Sequence, residues 1–203
     1  QEAAIFVPTA TMANQIALKL HGRPGDVLLA EETSHVLVYE YGGPAVHAGL
    51  ADVAENYLQE AQDHAAVLAG RTVCWHFIGA LQSNKTRPVA ERFDWVHTVE
   101  RLKIAERLSA QRPPGLPPLA VCIQVNLAGE ATKSGVAPAE LPALAQAVAG
   151  LPRLALRGLM ALPPEEPDVA RQRHWFRELR LLRDALVQRG LALDALSMGM
   201  SGD

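Results

Sequence analysis

Leu119-Ala-Val-Cys-Ile-Gln-Val-Asn126 and Leu154-Ala-Leu-Arg-Gly-Leu-Met-Ala161 decide the fold. Both are apolar runs of strand length, and neither alternates apolar with polar residues. A strand with one face in water alternates, whereas a strand covered on both faces does not, as in parallel sheets flanked by helices. Between the two runs, Leu141, Leu144, Val148 and Leu151 recur at helical spacing. The connection therefore reads as strand, helix, strand, and an antiparallel sandwich fits poorly.

The same cadence continues in both directions. Strands are expected near residues 51–55, 73–78, 95–98, 119–126, 154–161 and 195–200, and Phe176, Leu179, Leu182 and Leu186 mark another apolar helix stripe. Thr98 is predicted to cap a helix beginning near Val99, with Glu100 at its positive end, while Gly150 and Gly190 stand where helices should stop. Pro142 strains the helix in which it falls. The first fifty residues form a further βα unit: a helix carrying Met12, Ile16, Leu18 and Leu20, a turn at Pro24-Gly25, a strand over 26–30 and a second helix from about Ser34.

Such a succession closes into a (β/α)₈ barrel or opens into a doubly wound sheet. Polar and glycine-rich segments follow the carboxyl ends of the strands, at Asn56-Tyr57, 79–85, 98–101, 126–135 and 197–203. Barrels build their sites on that face. The fold class expected is thus α/β, an incomplete (β/α)₈ TIM-type barrel preceded by an amino-terminal βα segment.

Composition narrows the partners. The chain has 203 residues, 49% apolar and 20% charged, with a formal net charge of −3, so no global field draws in nucleic acid or an acidic membrane. Apolar stretches break up before the roughly 18 residues a membrane helix needs, and no signal peptide is visible. Cys74 and Cys122 have no metal or redox spacing, which suggests a reducing, cytoplasmic setting. Oligomeric state is left open. Starting at Gln1 and stopping at Asp203, both ends read as cut.

Few residues announce chemistry by themselves. Thr9 and Thr11 at the amino end of the first helix could cradle a phosphate, although simple capping is the commoner role. His76 and His97 read as hydrogen-bonded core or rim histidines, and Glu165-Glu166 as a solvated pair. No histidine pair has metal-ligand spacing, and GxSxG, P-loop and GxGxxG motifs do not occur.

Six segments on the polar mouth are recognisable together: Glu55-Asn-Tyr-Leu-Gln-Glu-Ala, His76-Phe-Ile-Gly-Ala-Leu-Gln-Ser-Asn-Lys, Val96-His-Thr-Val-Glu, Gln124-Val-Asn-Leu-Ala-Gly-Glu-Ala-Thr-Lys-Ser-Gly, Arg157-Gly-Leu-Met-Ala and Leu196-Ser-Met-Gly-Met-Ser-Gly-Asp. In that order they resemble the pyridoxal phosphate homeostasis protein family over about residues 49–203. The resemblance implies an alanine racemase-type barrel that binds pyridoxal 5′-phosphate and stores or delivers it, with no catalytic residue assigned. It implies further that Asn56, His76, Ile78, Met160, Ser197, Met198, Gly199, Met200 and Ser201 line the cofactor pocket. The family's Schiff-base lysine at the end of the first strand, and its last phosphate loop, have no counterpart, so binding is expected to be impaired.

Residues 1–46 resemble instead the low-specificity threonine aldolases, through Glu2-Ala-Ala-Ile-Phe-Val-Pro-Thr-Ala-Thr-Met-Ala-Asn, Arg23-Pro-Gly-Asp and Glu32-Thr-Ser-His-Val. By that likeness Thr9 and Thr11 touch phosphate and His35 stacks on the cofactor ring. The expected organisation is an aldolase-like segment over 1–48 and a homeostasis-type barrel over 49–203, with the strand at 26–30 standing in for the barrel's first and Glu31 to Thr33 where the lysine belongs. An aldolase fragment releasing acetaldehyde from threonine, a chimeric scaffold without ligand, and a sugar-phosphate barrel enzyme are the alternatives.

Overall fold

The computed structural model describes residues 27–28, 52–55, 73–130, 133–164, 166 and 168–199. The chain divides into two compact units, Gln1–Trp75 and His76–Asp203. In the first, β1 (Val27–Leu28) pairs in parallel with β2 (Asp52–Glu55), Val27 opposite Asp52 and Leu28 opposite Val53.

The second unit holds the sequence-predicted alternation. From β3 (Cys74–Phe77), His76 and Phe77 pair in parallel with β4 (Trp95–Val99). Next come β5 (Leu119–Gln124), β6 (Leu154–Ala161) and β7 (Ala195–Met198), each parallel to the strand before it. The crossovers are α1 (Thr86–Arg92), α2 (Leu102–Gln111), α3 (Leu141–Ala149) and α4 (Val169–Gln188). This is a parallel five-stranded half-barrel, the incomplete TIM-type architecture expected from the sequence.

Every residue of β5 is buried, which explains why its sequence does not alternate. One face meets helices, which bury Ile104, Ala105 and Leu108 from α2, Leu141, Ala145 and Val148 from α3, and Leu179 and Leu186 from α4. These follow the i, i+4, i+7 geometry that a helix laid on a sheet requires. Leu151, expected on the α3 stripe, lies beyond its end, where its N–H bonds the carbonyl of Val148.

Other expectations need correction. Val99 still belongs to β4, and α2 starts at Leu102 with Arg101 as its flanking residue. Thr98 caps no helix: its Oγ1 donates to the Gly79 carbonyl at 2.7 Å, tying β4 to the segment after β3. Pro142 causes no strain, because it sits in the first turn of α3, where a backbone N–H has no helical partner to lose. Glu166 is not a freely solvated carboxylate. It accepts from the Asp168 N–H at 3.1 Å and lies 3.6 Å from Arg171, holding the approach to α4.

β5 stops at Gln124, two residues short of the expected end. Val125 makes a single bridge to Val136, and the side chain of Asn126 organises the loop: Oδ1 accepts from the Gly129 N–H at 3.0 Å, and Nδ2 donates to the carbonyls of Glu130 (2.9 Å) and Lys133 (3.3 Å). Gly135 closes this loop at φ +123°, where a Cβ would lie 2.6 Å from the Asn126 nitrogen, so only glycine fits.

Candidate functional site

Parallel partners point to the same face of a sheet, so the register of β5, β6 and β7 sets Gln124, Met160 and Ser197 side by side near the strands' carboxyl ends. On the other flank His76 is opposite Trp95, and alternation along β4 puts His97 on the same face as Trp95. The His76 ring stacks on Trp95 with centroids 5.4 Å apart and planes 9° from parallel.

These two flanks meet. His76 Nδ1 is 2.9 Å from His97 Nε2, and His97 Nδ1 is 2.7 Å from the Ser197 hydroxyl. β4 and β7 are separated in the sheet by β5 and β6, which in a flat sheet would hold them about 14 Å apart at the usual interstrand spacing. The bond between residues one hundred apart in sequence therefore measures how strongly the sheet curls. The result is a three-membered polar chain across the concave face, contributed by β3, β4 and β7.

Burial, reinforced by the positive charge that His76 can carry, pushes His97 down from 6.5 to about 4. His97 is accordingly neutral at pH 7 and has one ring N–H to share between two partners. The unfolded chain takes up a proton here near pH 6.5 and the folded chain only near 4, so stability rises with pH across that window. Unfolding free energy is expected to hold above pH 6.5 and to fall by up to about 3 kcal/mol as the pH drops to 4 through this group. Urea titrations at pH 7 and pH 4.5 check this, and His97→Gln should flatten the difference. A variant with the same pH slope as the parent would refute the assignment.

Toward the amino ends of the strands, the Arg157 guanidinium lies 5.2 Å from the Trp95 ring centroid and donates through Nε to Asp194 Oδ1 at 2.7 Å. That hydrogen bond raises Arg157 and lowers Asp194 from their ordinary values. Cys122 is buried, and burial pushes its thiol up to about 12, so at neutral pH it is no nucleophile.

Of the sequence-predicted pocket residues, the structure brings His76 and Ser197 into one hydrogen-bonded chain and sets Met160 beside Ser197. Ile78 follows β3 and is half-buried, Met198 is exposed, and the Gly199 N–H reaches the Ala161 carbonyl at 3.4 Å. Asn56, Met200, Ser201, Thr9, Thr11 and His35 lie outside the described residues. His97, read from the sequence as a hydrogen-bonded core or rim histidine, is buried and hydrogen-bonded and is the central member of the chain. Its signal was present: like His76 and Ser197, it stands close to the carboxyl end of a parallel strand.

A curled parallel sheet with polar groups gathered at its carboxyl end defines a barrel domain of the alanine racemase amino-terminal type, and residues 43–203 match the family described as alanine racemase, N-terminal domain. Within that class, the chain belongs to the pyridoxal phosphate homeostasis protein family. It is 62% identical to the pyridoxal phosphate homeostasis protein of Pseudomonas aeruginosa over 156 residues, covering 77% of this chain and 66% of that protein. It is 51% identical to that of Escherichia coli over 162 residues, covering 78% and 69%. PipY of Synechococcus elongatus, whose structure has been solved with PLP bound, superposes with a TM-score of 0.77 at 32% identity, covering 95% of this chain and 90% of that one. The chain thus spans about two thirds of the length of these curated relatives.

Proposed function

We propose that this chain binds pyridoxal 5′-phosphate at the carboxyl-terminal mouth of its half-barrel and acts as a cofactor-holding protein. The observation that carries the reading is the His76–His97–Ser197 chain on the concave face, inside the segments shared with the homeostasis family. The donor set suits the group. The Ser197 hydroxyl, held by neutral His97, offers a hydrogen bond without a fixed charge, and Met160 beside it offers a polarizable apolar surface to a ring.

Bound pyridoxal phosphate supplies an electrophilic aldehyde and a phosphate dianion. Among the described residues no lysine lies within a strand: Lys85 flanks α1, Lys103 is on α2 and Lys133 is in the loop after β5. Glu31 to Thr33 follow β1 in sequence, where the family places its lysine, and a carboxylate there forms no such bond. The cofactor is held without a bond to a lysine of the described residues. The organisation proposed is an aldolase-like segment over 1–48 and the homeostasis-type barrel over 49–203, and the family match over 43–203 takes in the whole of that barrel.

Titration with pyridoxal phosphate, followed by its absorbance, should show saturable, reversible binding. Borohydride reduction and peptide mapping should then find no stoichiometric pyridoxyl-lysine. One lysine labelled to completion would overturn non-covalent holding, and acetaldehyde released from threonine would turn the reading to an aldolase fragment.

A further inference from the structure

The His76–His97–Ser197 chain can be protonated in two self-consistent ways. In one, the Ser197 hydroxyl donates to His97 Nδ1, and His97 Nε2–H donates to His76 Nδ1. In the other every bond is reversed: His76 Nδ1–H donates to His97 Nε2, and His97 Nδ1–H donates to the Ser197 oxygen. Only the second frees the hydroxyl proton of Ser197 for a ligand. The two differ by moving the proton of each imidazole from one ring nitrogen to the other and turning the Ser197 O–H, with no change in net charge and no movement of heavy atoms.

We infer that His97 is a positioning residue for anion recognition: with its proton on Nδ1 it occupies the acceptor side of Ser197, so that the Ser197 O–H is turned to donate to an anionic oxygen at the mouth. This rests on the cofactor reading above and adds to it the device that orients the contact. Geometry supports the assignment on three counts. The 2.7 Å contact is short enough to fix the hydroxyl rotor. His97 cannot swing away, because its other nitrogen is held by His76 at 2.9 Å and its ring lies edge-on to that of His76, 5.1 Å between centroids. Trp95, stacked flat on His76, fixes the far end of the chain. The anion itself selects this arrangement, since an acceptor placed against Ser197 in the first arrangement would meet lone pairs rather than a proton. A ligand that favours one of two protonation patterns shifts their populations by its differential affinity.

The test is nitrogen-15 NMR of the full chain labelled at histidine, saturated separately with inorganic phosphate and with pyridoxal phosphate. Protonated and unprotonated ring nitrogens resonate far apart, and Nδ1 of His97 is expected to carry the proton in both complexes. A bound state with the proton on Nε2 overturns the inference. A pair of substitutions gives an independent reading. Asn places an amide N–H at about the position of Nδ1, whereas Gln places it nearer Nε2. His97→Asn should hold affinity for pyridoxal phosphate within about threefold and His97→Gln should lose about tenfold, the size of one hydrogen bond. Equal losses in the two variants would show a merely structural histidine and refute the positioning role. Failure of both probes to bind the parent chain would sink the cofactor reading and this inference together, whereas binding with the wrong His97 tautomer sinks only this one.

Discussion

Replacing Arg112 by methionine is expected to lower the unfolding free energy by roughly 3 to 5 kcal/mol, although the residue lies far from any candidate site in sequence. Arg112 is 2% exposed. Its guanidinium donates through Nη1 to the carbonyls of Ala90 (2.8 Å) and Phe93 (2.7 Å) and through Nε to that of Pro117 (2.9 Å). The first two belong to the end of α1 and the residue after it, where helix geometry leaves carbonyls without partners. Arg112 itself ends α2, its own N–H bonding the Leu108 carbonyl at 2.8 Å. The side chain thus closes α1 and fastens the turn before β5, while the backbone of the same residue ends α2. Burial lowers its pKa, and the charge of Asp94 offsets part of that. Methionine keeps most of the packed stem but supplies no donor, stranding up to three carbonyls at about 1–3 kcal/mol each, against which the relief of burying a cation is set. Arg112→Lys, a point donor, should fall between the two. Urea unfolding with unchanged slope checks the sequence of stabilities, and a methionine variant within 1 kcal/mol of the parent would refute it.

What the sequence disclosed follows how far apart the cooperating residues lie. β6 matches its expected bounds residue for residue, because its apolar run is bounded by Arg153, in a left-handed turn at φ 60°, and by the prolines after Leu162. The expected end of β5 lies two residues too far because Val125 continues the apolar run, and only the loop carbonyls and N–H that Asn126 binds show that the chain has already turned. Thr98 was misplaced because a hydroxyl before an acidic residue looks like a cap, while its real partner, the Gly79 carbonyl, is nineteen residues away. The site follows the same rule. Ser197 and His76 were legible through motifs, but the role of His97 depends on partners 21 and 100 residues distant, which only the curl of the sheet brings together. Arg112 left no local trace, since capping by a distant guanidinium has no periodicity.

Gly158→Ala is expected to be as damaging as the loss of Arg112, and to act on the site as well as on stability. Gly158 is paired with Ala195 where β6 meets β7, and a Cβ on Gly158 would lie 2.1 Å from the Ala195 carbonyl oxygen and 2.7 Å from its carbonyl carbon. Both are backbone atoms, so no rotamer change relieves the clash and the strand must move. β7 is tied down by the Asp194 N–H to the Arg157 carbonyl at 2.8 Å and by the Arg157–Asp194 ion pair, so moving it breaks ladder bonds as well. Overpacking of this kind costs about 3 kcal/mol or more when the neighbour cannot rotate away. The same displacement carries Ser197 off His97, whose 2.7 Å contact tolerates a shift of only a few tenths of an ångström before the hydrogen bond weakens. Affinity for pyridoxal phosphate should therefore drop at least tenfold at temperatures where the variant is still folded. Gly115 provides the contrast: a Cβ there meets nothing within 4 Å, and Gly115→Ala should change stability by no more than about 0.5 kcal/mol and leave binding untouched. Urea unfolding and cofactor titration of the two variants side by side give the answer. If Gly158→Ala matched Gly115→Ala in both measurements, neither the close approach of β6 and β7 nor the placement of Ser197 by it could be holding the mouth together.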